Sequence, residues 1–234
     1  MRRRKARLLT LFVALAMTAG VGVFSFDQTA ELASARSAEA PHVGTPHVGT
    51  SLVDGARYRI DAGQSRFTVR VFVGGLLSSL GHDHTIAARN FSGEIQFTYG
   101  TVAPASMQMT IKADSLSVTD KVSKSDRENI EATMRDEVLE VAKYPEINFR
   151  STGVTANKVE EGVYQVQISG ELTLHGVTRG IVINTRASFG SNGLRAQGDF
   201  SVKHADYNLK RVSVAGGTIK VKEDIKLSFD ILAH

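Results

Sequence analysis

From Tyr58 onward, apolar and polar side chains alternate with a period of two over most of the chain. Such alternation places successive side chains on opposite faces of a strand. In RFTVRVFV the apolar phase is Phe67, Val69, Val71 and Val73. In FSGEIQF it is Phe91, Gly93, Ile95 and Phe97, with Glu94 and Gln96 on the other face. Met107, Met109 and Ile111 continue the rule in MQMTIKA. The longest row runs through Tyr164, Val166, Ile168, Gly170, Leu172 and Leu174, and shorter rows follow at Ile181/Ile183, Phe200/Val202 and Ile225/Leu227/Phe229. Turn-forming groups separate them: Glu161-Gly162, Ser191-Asn192-Gly193 and Ala215-Gly216-Gly217.

One segment has a different period. Ser125-Asp126-Arg127-Glu128 fits a capping box, with Ser125 as N-cap and Glu128 reaching back to it. Ile130, Met134, Val138 and Val141 then recur at helical spacing, which predicts an amphipathic helix over 126–142, and Pro145 prevents its continuation. About eight antiparallel strands, one helix and no alternation of strand with helix predict an all-β domain, either an up-and-down barrel or a sandwich. Eight strands close into a barrel wide enough for packed side chains or one slim ligand. The inward rows therefore either fill their own core or line an elongated tunnel. The candidate lining is Phe67, Val69 and Val71; Ile95 and Phe97; Met107, Met109 and Ile111; Met134 and Val138 from the helix; Phe149; Val166, Ile168 and Leu172; Ile181 and Ile183; and Phe200, Leu227 and Phe229.

The N-terminus is of another kind. Arg2, Arg3, Arg4, Lys5 and Arg7 precede residues 8–26, which carry no charge. A basic cluster followed by an apolar run predicts export, as a signal peptide or as a retained anchor in the cytoplasmic membrane over residues 1–26. Small-x-small cleavage sites occur at Ala33-Ser34-Ala35 and Ala38-Glu39-Ala40. The expected destination is the periplasm or cell envelope. Residues 27–53 are rich in Ala, Ser, Thr, Gly and Pro and repeat PHVGT at 41–50, the composition of a flexible linker. The folded domain is then expected over 54–232.

The formal charge of +4 is concentrated in that basic N-terminus. From residue 41 onward acidic and basic side chains nearly balance, which leaves no electrostatic case for nucleic acid. Cysteine is absent, so disulfides, thiolate metal sites and a catalytic Cys are excluded. No GxSxG nucleophile motif and no phosphate-cradling glycine loop is present. The expected protein is a non-enzymatic one.

Gly81-His82-Asp83-His84 is the most chemical-looking stretch. In a strand His82 and His84 point the same way and could offer two imidazoles to zinc or copper, with His175 or His204 as a third ligand and Asp83 behind them. The same histidines could instead meet a ligand head group at a barrel mouth. His42 and His47 of the repeat read as solvated linker residues.

Several local patterns resemble the YceI-like, polyisoprenoid-binding family, in the family's order. YRIDAGQSRFTVRV at 58–71 resembles its first hairpin, and MRDEVLEVAKYPEINFRS at 134–151 its helix end and following strand. GELTLHGVTRGIVI at 170–183 contains the family's Leu-Thr-Leu-His-Gly-Val-Thr-Arg run, and FSVKHADYNL at 200–209 resembles its next-to-last strand and turn. The chain departs from the pattern in having Val138-Leu139-Glu140 for Phe-Phe-Asp, His204 for an Arg, and Asn208 for the turn Gly, although Asn tolerates a left-handed turn. The resemblance implies an eight-stranded, lipocalin-like barrel that holds a polyisoprenoid-type lipid, a quinone or a similar amphiphile. It implies no catalytic residues and no required cofactor. A homodimer is compatible with it. A metal protein built on His82 and His84, and a structural envelope protein with a filled barrel, are the alternatives.

Overall fold

The computed structural model describes residues 56–76, 79, 81–97 and 105–234. The export segment (1–26) and the linker (27–53), with His42 and His47, lie outside the described residues. The strands are β1 (Ala56–Arg59), β2 (Arg66–Gly74), β3 (His84–Ala88), β4 (Phe91–Phe97), β5 (Ser106–Lys112), β6 (Leu116–Val118), β7 (Glu146–Glu160), β8 (Val163–Leu174), β9 (Val177–Gly190), β10 (Gly193–Lys203), β11 (Ser213–Val214) and β12 (Ile219–Ala233). One helix, α1 (Lys124–Thr133), precedes β7.

Apart from the short β11, which pairs with β12, these segments compose eight staves. β1 and β2 are one stave interrupted by the Asp61 turn, β3 and β4 a second, and β5 and β6 a third. β1 pairs with β4 and β2 with β3; β4 pairs with β5 and β3 with β6. From β5 each stave pairs antiparallel with the next through β7, β8, β9, β10 and β12. β12 returns to β2, and an Ile60–Ala233 bridge joins the other end of the first stave to the last. The circuit is the expected eight-stranded up-and-down barrel, which leaves few strand edges free. Period-two burial is clearest in β8, where Tyr164, Val166, Ile168, Leu172 and Leu174 are buried and Gln165, Gln167 and Glu171 exposed.

The seam between β6 and β7 is the exception, and α1 seals it. Val118 at the β6 edge donates its N–H to Glu131 Oε1 (2.9 Å), and Arg127 donates from Nη1 to Val118 O (3.0 Å) and from Nη2 to Asp120 O (3.0 Å). Helix side chains thus take the place of a neighbouring strand for backbone groups that must be paired.

The helix differs from the expected 126–142. Ser123, not Ser125, is the N-cap; its backbone is extended and its Oγ accepts from Asp126 N (3.1 Å). Both serines fit the capping spacing, and starting at Lys124 brings Arg127 and Glu131 onto β6. The regular helix ends at Thr133, and residues Met134–Val138 form a wider π turn. Glu140 follows in the left-handed region (φ 45°), with Val141 N donating to Arg135 O (2.9 Å), and this closure stops the helix short of Pro145.

On the outer surface Arg195 of β10 grips Asp230 of β12 through two bonds, Nε to Oδ1 (2.7 Å) and Nη2 to Oδ2 (2.6 Å). The Arg195 hydrogen bond holds the Asp230 carboxyl below the usual carboxylate range. A folded-state value below the unfolded one stabilises the protein above the ordinary carboxylate range, and that contribution is lost as pH falls through the folded value. Asp230→Asn is therefore expected to lower the melting temperature near neutral pH, with a deficit that shrinks in acid. Thermal unfolding of both proteins across the acidic range checks this; a constant deficit would contradict it.

Candidate functional site

The interior has two unlike ends. At one end aromatic rings fill the barrel: Phe97 packs edge-on to Tyr164 (centroids 5.5 Å apart) and against Phe189 (4.9 Å), and Tyr58 meets Phe189 from the side (6.0 Å). A small void of about 50 Å³ lies there, lined in part by Ile95, Phe97 and Val166. At the other end an apolar inner chamber of about 140 Å³ lies among the inward phases of all eight staves. It adjoins an outer chamber of about 440 Å³ beneath α1 and the β2 and β12 ends. Val71, Ile86, Met134, Val138 and His204 line both chambers, so the two meet there.

The predicted lining divides accordingly. Phe67, Val69, Val71, Met107, Met109, Ile111, Met134, Val138, Phe149, Ile168, Leu172, Ile183, Phe200, Leu227 and Phe229 come together around the inner chamber. Ile95, Phe97 and Val166 lie at the aromatic end, and Ile181 packs against the core. Besides Ile147, Leu174, Val202, Ile225 and Ile231 of the long strands, sequence reasoning missed Ile86, Leu116, Leu139, Leu209 and His204. Each of the latter sits in a short strand, a turn or a helix end, where no alternating row exposes its phase; Leu139 and Leu209 carried no periodic signal at all.

His82 and His84 both line the outer chamber. His84 Nδ1 lies 3.1 Å from Asp120 Oδ2, whose two oxygens also accept from Thr85 N (3.1 and 2.9 Å). Asp83 accepts from Val73 N (2.9 Å) and so serves the backbone. His175 is engaged elsewhere, His204 shares the outer chamber's wall with its Nδ1 held at the Glu223 carbonyl, and no group of three His, Asp or Glu with metal-ligand geometry occurs among the described residues.

His175 belongs to a clasp outside the chambers. It occupies the left-handed region (φ 51°) in the β8–β9 turn, with Nε2 donating to Glu140 Oε2 (2.6 Å) and Nδ1 3.2 Å from the Tyr207 carbonyl oxygen. The Tyr144 ring packs on it edge-on (centroids 4.5 Å apart). Gly176 follows at φ 71°, and a Cβ there would stand 2.5 Å from Tyr144 Cε1, so the ring requires glycine at this position. The clasp ties the π-turn exit, the β8–β9 turn and the turn after β10 at the hollow end of the barrel. Tyr207 itself is fully buried, and burial pushes its phenol above the usual range. Asn208 takes the left-handed conformation (φ 54°) expected of it.

Comparison with known proteins agrees with this architecture. A UPF0312 protein of Shewanella baltica is 30% identical over 112 residues, 47% of this chain and 53% of that protein. A UPF0312 protein of Pseudomonas putida is 28% identical over 153 residues, 64% of this chain and 71% of that protein. The chain spans about half the length of the first curated relatives it matches. Among solved structures, BcnA of Burkholderia cenocepacia superposes with a TM-score of 0.56 at 17% identity, covering 75% of this chain and 99% of that one. A polyisoprenoid binding domain from Saccharophagus degradans, implicated in plant cell wall breakdown, gives 0.53 at 18% identity, covering 76% and 97%. At these identities the likeness is one of fold. The YceI-like domain model matches residues 58–233, the whole barrel, and the chain belongs to that family.

Proposed function

We propose that this protein is an exported, non-enzymatic carrier that holds a long-chain isoprenoid, a quinone or a similar amphiphile in its barrel. The carrying observation is the pair of chambers: an inner one whose lining is apolar except for His204, adjoining an outer one that adds Asn129, Lys210, Lys220, His82 and His84. An apolar blind end with polar groups gathered toward its mouth matches a ligand with a hydrocarbon chain and a polar head. The driving force is burial of chain surface, about 25 cal/mol per Å². A dry apolar cavity of roughly 150 Å³ takes a benzene-sized group. The inner chamber alone accordingly suits one end of an isoprenoid, and a longer chain extends through the outer chamber. Met107, Met109 and Met134 line the interior, and unbranched thioether side chains re-pack readily around such a guest.

The structural neighbour described as a polyisoprenoid binding domain supports this reading. Export rests on residues 1–26, which either release the barrel into the periplasm or tether it to the cytoplasmic membrane, where an isoprenoid ligand would reside. A radiolabelled polyprenol offered in micelles to the full chain tests the proposal. Stoichiometric co-elution of label with protein on gel filtration is the expected result. Label remaining wholly with the micelles over a range of chain lengths would refute it.

A further inference from the structure

We propose that His204 reads the ligand's head group, accepting a hydrogen bond from a hydroxyl and so favouring isoprenoid alcohols or phenols over ethers and hydrocarbons of equal chain length. The inference rests on the carrier reading above and names the ligand class within it.

His204 is 4% exposed, yet it lines both chambers where they meet. It is the one polar side chain in the inner chamber's wall. Its position is fixed from several sides. The backbone N–H donates to Glu223 O (3.0 Å), its carbonyl accepts from Leu209 N (2.9 Å), and the neighbouring Ala205 N donates to Glu223 Oε1 (2.7 Å). The ring is held as well: Nδ1 lies 2.9 Å from the Glu223 carbonyl oxygen. A carbonyl can only accept, so Nδ1 carries a proton, and in the neutral ring Nε2 is then an acceptor. Nε2 has no hydrogen-bond partner among the described residues. Nε2 is not fully enclosed, unlike Thr185 Oγ1 and Tyr207 OH, the buried polar atoms without a partner among the described residues; a bound chain would close it off from water, and a ligand that supplies a donor offsets that cost.

The chemistry of the donor follows. An alcohol or phenol O–H fits a neutral Nε2, whereas an ether oxygen offers only a second lone pair and a hydrocarbon offers nothing. Discrimination of this kind is larger than a hydrophobic wall can achieve, because the wrong ligand leaves a buried polar atom unpaired. The surrounding surfaces agree with this placement. Leu209, Ile225 and Val202 line the inner chamber with it, while Lys210 and Ser213 line the outer one. Lys210 is paired with Glu137 and as an ammonium can only donate, whereas His204 is the one polar side chain in the inner chamber's wall.

Three probes of equal chain length decide the matter with the full chain: geranylgeraniol, its methyl ether, and the corresponding hydrocarbon. The wild-type protein is expected to bind the alcohol about tenfold more tightly than the ether. His204→Phe is expected to abolish that preference while retaining ether and hydrocarbon. Equal affinity of the wild type for alcohol and ether would overturn the inference and leave the carrier reading intact. A preference that survives in His204→Phe would do the same. Failure of all three probes to bind the wild type would overturn both. Should His204→Phe not fold, ¹⁵N-histidine labelling of the wild type gives the answer directly. The His204 Nε2 resonance is expected to move on adding the alcohol and not on adding the ether, and an Nε2 signal indifferent to both would refute the assignment.

Discussion

Val71→Trp is expected to weaken polyprenol binding about 100-fold while leaving the barrel folded. Val71 lies on β2, opposite Ile225 of β12 and His84 of β3, and is only half-buried because it faces the junction of the two chambers. An indole there occupies space that a ligand chain would otherwise fill. Excluding about four carbons of chain, at roughly 0.8 kcal/mol each, removes about 3 kcal/mol of burial, which is the 100-fold expected. The cost to folding is small, because the added volume enters a void and tryptophan suits a strand. The chain has no tryptophan of its own, so the introduced indole reports its surroundings by fluorescence. Polyprenol titration with parallel thermal unfolding checks both halves. A folded Val71→Trp protein that binds like wild type would place the ligand elsewhere.

Gly170→Val is expected to act on stability instead, by about 3 kcal/mol or more. Gly170 sits in the buried row of β8, opposite Ser151 where β7 carries a bulge. A Cβ at this position would lie 2.4 Å from Phe149 Cζ and 2.7 Å from Arg150 O. The ring could turn aside into the inner chamber, but the carbonyl is backbone and cannot. For a domain of this size the loss corresponds to a melting temperature lowered by about 10 °C. Combining it with Phe149→Leu is expected to recover part of the loss, since the two side chains compete for one volume, whereas strictly additive effects would contradict the contact.

The barrel was legible in the sequence because burial on one face imposes period two, and the rows through Phe67, Phe91, Tyr164 and Ile225 show it without interruption. The breaks within staves were not, because Asp61, Asn90 and Ala113 interrupt pairing through local turns rather than through the hydrophobic phase. The helix start was misplaced by two residues because Ser123 and Ser125 offer the same local chemistry; the choice is made by Arg127 and Glu131 reaching the unpaired edge of β6. The rows, of equal quality at both ends, left a filled core and an elongated tunnel both open. What closes one end is a cluster of rings distant in sequence, Tyr58, Phe97, Tyr164 and Phe189, and periodicity carries no information on which rows meet. His204 was visible as a departure from the family's Arg, but its burial between two chambers depends on the turn after β10 folding back onto Glu223.

The His175 motif shows the same division between pattern and cause. Its run of residues marks the chain as resembling the YceI-like family and offered a third metal ligand, whereas in the fold its ring is bonded to backbone. The Tyr207 carbonyl supplies that bond, while Glu140, from a helix end more than thirty residues earlier, supplies a second that no local reading contains.

The most direct test of the carrier proposal is the content of the barrel itself. Protein purified from its own organism, extracted with organic solvent and examined by mass spectrometry, is expected to yield an isoprenoid-chain amphiphile bearing a hydroxyl group, near one per barrel. The Val71→Trp protein, isolated in the same way, is expected to yield little or none. A wild-type barrel that comes empty from a lipid-replete cell, and takes up no added polyprenol, would contradict the account.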